Sequence, residues 1–281
     1  MGKHDRNERF FGAEGQRLIA RELVAVVGCG GLGEHLIPQL ACLGVAGIIG
    51  IDDEDLSDTN RNRYILARHD DAVPGTHKVD IAERSVKAID PTVQFIPVKA
   101  SLRSHEALSS LSKATTIFGC VDNEGSRLVL MEFALANRIR YFDLATDIPP
   151  GDALDFGGRV VLMDEQPGCL VCLDVLDMDE ARRDLESPAA REDRERIYGV
   201  DKANLDQAGP SVVSLNAVVA ALAVTEFIMQ VTGLRPAHRK LSYRGRTGIV
   251  TKSLPANTVC DCYYCTVVKG AGEKADIGRY I

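Results

Sequence analysis

Four glycines fall within the six residues Gly28-Cys29-Gly30-Gly31-Leu32-Gly33, directly after the apolar run Leu23–Val27. A turn of this kind lets backbone N–H groups approach a phosphate, and a helix opening behind it adds the positive end of its dipole. Alone, the pattern points to a nucleotide and leaves open whether that nucleotide is a redox carrier or a reactant. Asp52 closes the next apolar run, where a Rossmann-type fold bonds ribose hydroxyls. The polar stretch after it crowds amide and guanidinium donors into Asn60, Arg61, Asn62 and Arg63, and Lys78, Asp122 and Asn123 follow. Hydride transfer has no use for such cations. Cleavage of a triphosphate does, because charge builds on the phosphoryl oxygens and fixed cations stabilise it. Asp122 adds a carboxylate suited to Mg²⁺. Together these residues favour nucleotidyl transfer.

The cysteines carry a second chemistry. Cys169 and Cys172 form one C-x-x-C, and Cys262 and Cys265 form another. Two such knuckles complete a tetrahedral four-thiolate shell for Zn²⁺, a closed site that is structural rather than catalytic. Cys260 stands beside the second pair and offers an alternative to Cys262. Cys29, Cys42 and Cys120 read as buried packing. Thiols used this way, with no signal-peptide core in the polar N-terminus, predict a reducing, cytoplasmic setting.

These groups need a scaffold. Apolar runs at Leu23–Val27, Gly47–Ile51, Val93–Val98, Thr115–Val121 and Arg140–Leu144 alternate with helical periodicity over Gly31–Gly44, Thr76–Ile89, Ser104–Leu111 and Gly125–Asn137. This is the rhythm of an α/β, Rossmann-like, doubly wound and mostly parallel sheet. After Thr146 the rhythm changes: a strand at Gly158–Met163 and a hairpin of Lys240–Tyr243 with Thr247–Thr251 predict late antiparallel strands. Residues 177–207 are dense in charge and read as a solvated helix or loop. The apolar stretch Ser211–Val231 contains Asn216 and Glu226, which favours a buried core helix over a membrane span. The net charge of −7 argues against a bulk nucleic-acid surface. The expectation is one domain over 1–281, with an N-terminal arm (1–20) leading into a short helix. A nucleotide-binding half (21–145), a zinc-containing, acceptor-binding half (146–268) and a polar tail (269–281) follow.

With these motifs in hand, the chain resembles the ubiquitin-activating superfamily in its short ThiF, MoeB and HesA form. The matching stretches are Gly28–Gly33, Ile51–Arg63, Gly75–Val79, Gly119–Asn123 and the paired C-x-x-C. The resemblance implies ATP-dependent adenylation of the C-terminal carboxylate of a ubiquitin-like or sulfur-carrier protein, or of a peptide, with release of pyrophosphate. It implies that the glycine backbone and Asn60, Arg63 and Lys78 contact phosphates, that Asp52 holds the ribose, and that Asp122 binds Mg²⁺. It also implies a homodimer in which Arg9 reaches into the partner's site, and a downstream conjugating enzyme. One position departs from the family. Aligning on Ala208-Gly209 puts Leu205 where thioester-forming relatives carry cysteine, so the expectation is adenylation without the usual thioester. The other readings are a tRNA-modifying dehydratase of the same superfamily and a non-catalytic nucleotide-binding subunit.

Overall fold

Alternation within single strands decides which layer each side chain joins. In β1 (Leu23–Val27), Val24 and Val26 enter one core and Ala25 and Val27 the other. In β6 (Gly157–Met163), Val160 and Leu162 share the first core and Val161 and Met163 the second. A sheet apolar on both faces must be covered on both, and it is. The computed structural model describes residues 2–148, 155–187, 210–253 and 260–281.

The sheet has eight strands in the order β3-β2-β1-β4-β5-β6-β7-β8. The first five, β3 (Gln94–Val98), β2 (Gly47–Ile51), β1, β4 (Thr116–Gly119) and β5 (Arg140–Asp147), are parallel. β6, β7 (Lys240–Arg244) and β8 (Ile249–Lys252) continue it antiparallel. Because β1 lies between β2 and β4, the chain order reverses beside it, and ligands of such sheets sit off the strand C-termini at that point. The glycine turn begins there.

One face carries α1 (Asp5–Ile19), α2 (Gly33–Leu43), α3 (Lys78–Ile89) and α7 (Val213–Thr232). The other carries α4 (His105–Leu111), α5 (Glu124–Asn137) and α6 (Met178–Asp184). α7 is anchored by its Phe227, which meets Phe118 and Phe142 edge-on while those two rings stack at 4.8 Å. Glu226 in the same helix is buried but paired to Arg235 at 2.6 Å, and Asn216 is buried and hydrogen-bonded. α7 has the length and composition of a membrane span, yet these partners make it the core helix expected.

Several boundaries differ from the sequence expectation. The first twenty residues are mostly helix rather than an arm: α1 runs from Asp5, kinked at Phe11–Gly12, and buries Phe11 and Ile19. The polar tail is docked, with Ile277 buried and Arg279 paired to the buried Glu132. Its charges mask an attachment in which Ala275 and Tyr280 also pack on the core and the Tyr280 hydroxyl donates to Glu132. β5 runs three residues past Leu144, to Asp147, because it pairs with β6 on its far side. Cys42 is exposed rather than packed, since it lies near the end of α2 on the face away from the sheet, and Cys120 is half-buried. Of the charged segment 177–207, α6 is described; the positions of Leu205 and Ala208-Gly209 lie outside the described residues.

Candidate nucleotide site and thiol cluster

The turn between β1 and α2 is shaped by contacts that exclude side chains. Gly28 has φ +88°, and a Cβ there would lie 2.5 Å from the carbonyl oxygen of Cys120. A Cβ on Gly33 would overlap the carbonyl oxygen of Gly28, and one on Gly31 would lie 2.7 Å from Asn216 Nδ2. The turn is thus pressed between the end of β4, its own first residue and α7. Gly33→Ala forces backbone against backbone and is expected to destabilise the fold by about 3 kcal/mol, read as a lower melting temperature.

Asp52 fixes the turn from the side. Its Oδ2 accepts the Cys29 N–H at 2.7 Å and its Oδ1 accepts the Glu54 N–H at 2.9 Å. Burial raises its carboxyl above the ordinary range, an effect that Lys78 and these two N–H groups oppose. Lys78 is the first residue of α3 and is buried; its ammonium pairs with Glu54 and lies 3.8 Å from where a Cβ on Gly30 would stand. A fixed cation therefore stands beside the turn.

Asn60 and Arg63 sit on the loop after β2. Asn60 Oδ1 accepts from Ser57 N at 3.1 Å and Ser57 Oγ at 2.9 Å, closing the 3₁₀ turn Asp58–Asn60. Arg63 Nη1 donates to the Thr59 carbonyl at 2.7 Å. Tyr64 Oη ties this loop to the turn by donating to the Cys29 carbonyl at 2.7 Å, with Leu56 and Ile81 packed around its ring. Asp122 follows β4 and is exposed, its Oδ1 3.4 Å from the Asn123 amide. Asn123 caps α5, its Oδ1 accepting from Ser126 N at 2.7 Å.

The structure thus gathers Gly28, Gly30, Gly31, Gly33, Asp52 and Lys78 directly, brings Asn60 and Arg63 on a tethered loop, and sets Asp122 and Asn123 off the adjacent strand. Arg9 is apart from them on α1, in an ion pair with Asp5 at 2.7 Å. Asp143, in the middle of β5 where its pairing with β4 ends, is fully buried and held by Arg127 at 2.6 Å, so it organises the fold beside the site. Sequence reasoning missed Tyr64, Glu34 and Asn216 as supports of the turn. The signal for Glu34 and Asn216 was a polar residue in a helix that otherwise runs apolar, and for Tyr64 an aromatic in a polar loop.

The second constellation is compact. The thiols of Cys169, Cys172, Cys262 and Cys265 lie within 4.8 Å of one another. Their nearer separations are 3.3, 3.6, 3.7 and 3.8 Å. A tetrahedron with Zn–S bonds of about 2.3 Å has edges of about 3.8 Å, so the donor set fits zinc with shifts of at most about 1 Å. Cys262 rather than Cys260 completes the four; Cys260 touches Cys172 and Cys265 from outside. Burial pushes the thiols of Cys29 and Cys120 far up, which disfavours either as a nucleophile.

A strand-turn-helix phosphate cradle and a paired C-x-x-C cluster agree with one family. The ThiF family matches residues 4–263. The chain belongs to the ThiF family. Among curated relatives, the molybdopterin-synthase adenylyltransferase of Escherichia coli K12 is 29% identical over 169 residues, 59% of this chain and 64% of that protein. The sulfur carrier protein ThiS adenylyltransferase of the same organism is 25% identical over 162 residues, 57% of this chain and 61% of that protein. The matched segment thus spans less than two thirds of either ThiF-family relative. Among solved structures, E. coli MccB with ATP superposes with a TM-score of 0.69 at 16% identity, over 92% of this chain and 73% of that one. This likeness shows that the two share a fold.

Proposed function

We propose that this protein is an ATP-dependent adenylyltransferase acting on the C-terminal carboxylate of a ubiquitin-like or sulfur-carrier protein, or of a peptide. The observation that carries the reading is the buried Lys78 ammonium beside the glycine turn, because a nucleotide that is only held needs no such cation at its phosphates. Family membership and the names of the two relatives support it. An oxygen of the acceptor carboxylate bonds to the α-phosphorus, the bond from that phosphorus to the bridging oxygen of the β-phosphate breaks, and pyrophosphate leaves. The Gly28–Gly33 backbone, Asn60, Arg63 and Lys78 bind and orient the phosphates, with their charges aimed where the leaving group becomes anionic. Asp52, already holding the turn, faces the ribose. Asp122 fits Mg²⁺ as a single exposed carboxylate, the usual share of a protein when phosphates supply the other ligands; the ion would neutralise phosphate charge. The thiol cluster would hold Zn²⁺ and tie the second half of the chain together.

Arg9, with its side chain exposed on α1, is assigned to the site of a second copy in a homodimer. The burial of Cys29, and the desolvation that holds the half-buried Cys120 thiol protonated, favour release of the acyl-adenylate to a partner over a thioester on those residues. The test is ATP–pyrophosphate exchange with and without an acceptor protein ending in a free glycine. Exchange that requires the acceptor is expected. Exchange that instead requires tRNA, or nucleotide binding without exchange, would replace the reading.

A further inference from the structure

Glu34 is an acid in an unfavoured place. It is the residue after Gly33, in the first turn of the helix that opens on the phosphate cradle, and it is fully buried. A negative charge there would repel the phosphates that the helix end attracts. Its two oxygens have different neighbours. Oε2 accepts the Leu66 N–H at 3.2 Å, with the Ile65 N–H beside it. Oε1 has no hydrogen-bond partner among the described residues and faces His35 Nε2, which also has none, at 3.7 Å. The other ring nitrogen of His35 donates to the Val213 carbonyl at the start of α7. At 3.7 Å the two atoms are not yet hydrogen-bonded, and a small approach with one proton between Oε1 and Nε2 would satisfy both.

What this pair connects is specific. Leu66 belongs to the loop that carries Arg63, and its carbonyl accepts from Arg84 Nη2 at 3.2 Å, so α2 and α3 hold the backbone of the same residue, one at its N–H and one at its carbonyl. On the far side His35 reaches α7, whose Asn216 abuts Gly31. The Arg63 loop, the glycine turn and the start of α7 are thereby joined through two adjacent side chains.

We propose that Glu34 and His35 are positioning residues: by sharing one proton they stay neutral as a pair while tying the Arg63 loop and the first turn of α7 to the helix that receives the phosphates. The inference rests on the adenylation reading for its effect on ATP. The charged and titratable groups that act on the pair are Arg63 and the Tyr64 hydroxyl from the loop; Tyr64 in turn faces Cys29, Asp52 and Asp71. Arg84 from α3 is committed to Asp71 at 2.8 Å. Burial lifts the Glu34 carboxyl to about 8, against the pull of the two N–H groups and Arg63, while burial lowers His35. A carboxyl raised above its unfolded value contributes its full stabilisation only below the ordinary value of 4.5, and that contribution is lost progressively as pH rises from there to about 8, above which the loss is complete. Bound ATP adds negative charge beside Glu34 and holds the proton more tightly. Linkage then requires ATP affinity to fall above that pH.

The experiment compares wild type with Glu34→Gln, measuring melting temperature without nucleotide and Kd for ATP by calorimetry, across about pH 6 to 10. In wild type the melting temperature is expected to fall as pH rises from about 6 to about 8 and to level off above it, while the Kd rises by up to about tenfold per pH unit above about 8, with the change in KM for ATP rather than kcat. The amide of Glu34→Gln removes both inflections. Identical inflections in the two proteins, or a flat Kd in wild type, overturn the proposal. If Glu34→Gln does not fold, the wild-type Kd profile still decides. Failure of wild type to bind ATP at any pH would overturn the adenylation reading, while the nucleotide-free melting profile still tests the shared proton.

Discussion

Replacing Lys78 with methionine is expected to lower ATP–pyrophosphate exchange by about 10²- to 10³-fold, with little change in melting temperature. The two halves of that result have separate causes. Methionine keeps an apolar stem of similar length, so the buried start of α3 stays filled. The ion pair that is lost joins Lys78 to a Glu54 side chain that is 68% exposed, and a pair so open to water contributes little to stability. The catalytic loss comes from a group beside the glycine turn that meets charge developing on the phosphates. Glu54 adds a second effect. Without the ammonium its carboxylate stands unpaired near the phosphates, so the KM for ATP rises as well as kcat falling. Removing that carboxylate too, in Lys78→Met with Glu54→Gln, should recover part of KM and none of kcat. A variant that loses exchange only in proportion to lost fold would show that Lys78 serves structure alone.

The parts of the site that were legible in the sequence are those whose chemistry is tied to spacing. Glycines after an apolar run have to form a turn, and Asp52 at the next strand tip has to face it, because parallel strands align their C-terminal ends. The two C-x-x-C pairs needed only chain closure to meet. The supports were less visible. Tyr64 reads as an aromatic in a polar loop until the fold brings its hydroxyl to the Cys29 carbonyl. Glu34 reads as a solvated first-turn acid, favourable to the helix dipole, and becomes exceptional only once the Arg63 loop covers it. Asp143 shows the reverse: from the sequence it is an acid near the end of a strand, the position of a site residue, but β5 runs on to Asp147 and the fold consumes Asp143 in a buried pair with Arg127. Sequence spacing locates groups along an element. Burial by elements distant in the chain decides which of them face a ligand.

The same distinction governs the thiol cluster, where removal of one sulfur is expected to have the largest effect on stability. Cys172→Ser should abolish zinc binding, measured by elemental analysis, and lower the melting temperature by more than about 10 °C. Structural four-thiolate zinc contributes on the order of 10 kcal/mol to a folded state, and each kcal/mol moves the melting point of a domain this large by about 2–4 °C. The metal would join two short turns, one closed by Leu173 N to the Cys169 carbonyl at 3.0 Å and one by Thr266 N to the Cys262 carbonyl at 3.1 Å. Cys169 and Leu170 lie in the core beneath α5 and α6, and Cys262, Tyr264 and Cys265 pack against it, so packing supplies the part of the attachment that survives loss of the metal. Cys260→Ser is the discriminating control, because its sulfur touches the cluster without completing the four. It should keep zinc and most of the melting temperature. Zinc retained in Cys172→Ser would mean that Cys260 moves in to take the vacant position, and Cys172→Ser combined with Cys260→Ser should then lose it. If the double variant also keeps its metal content and melting point, the cluster is four reduced core thiols, and the second half of the chain is held by packing alone.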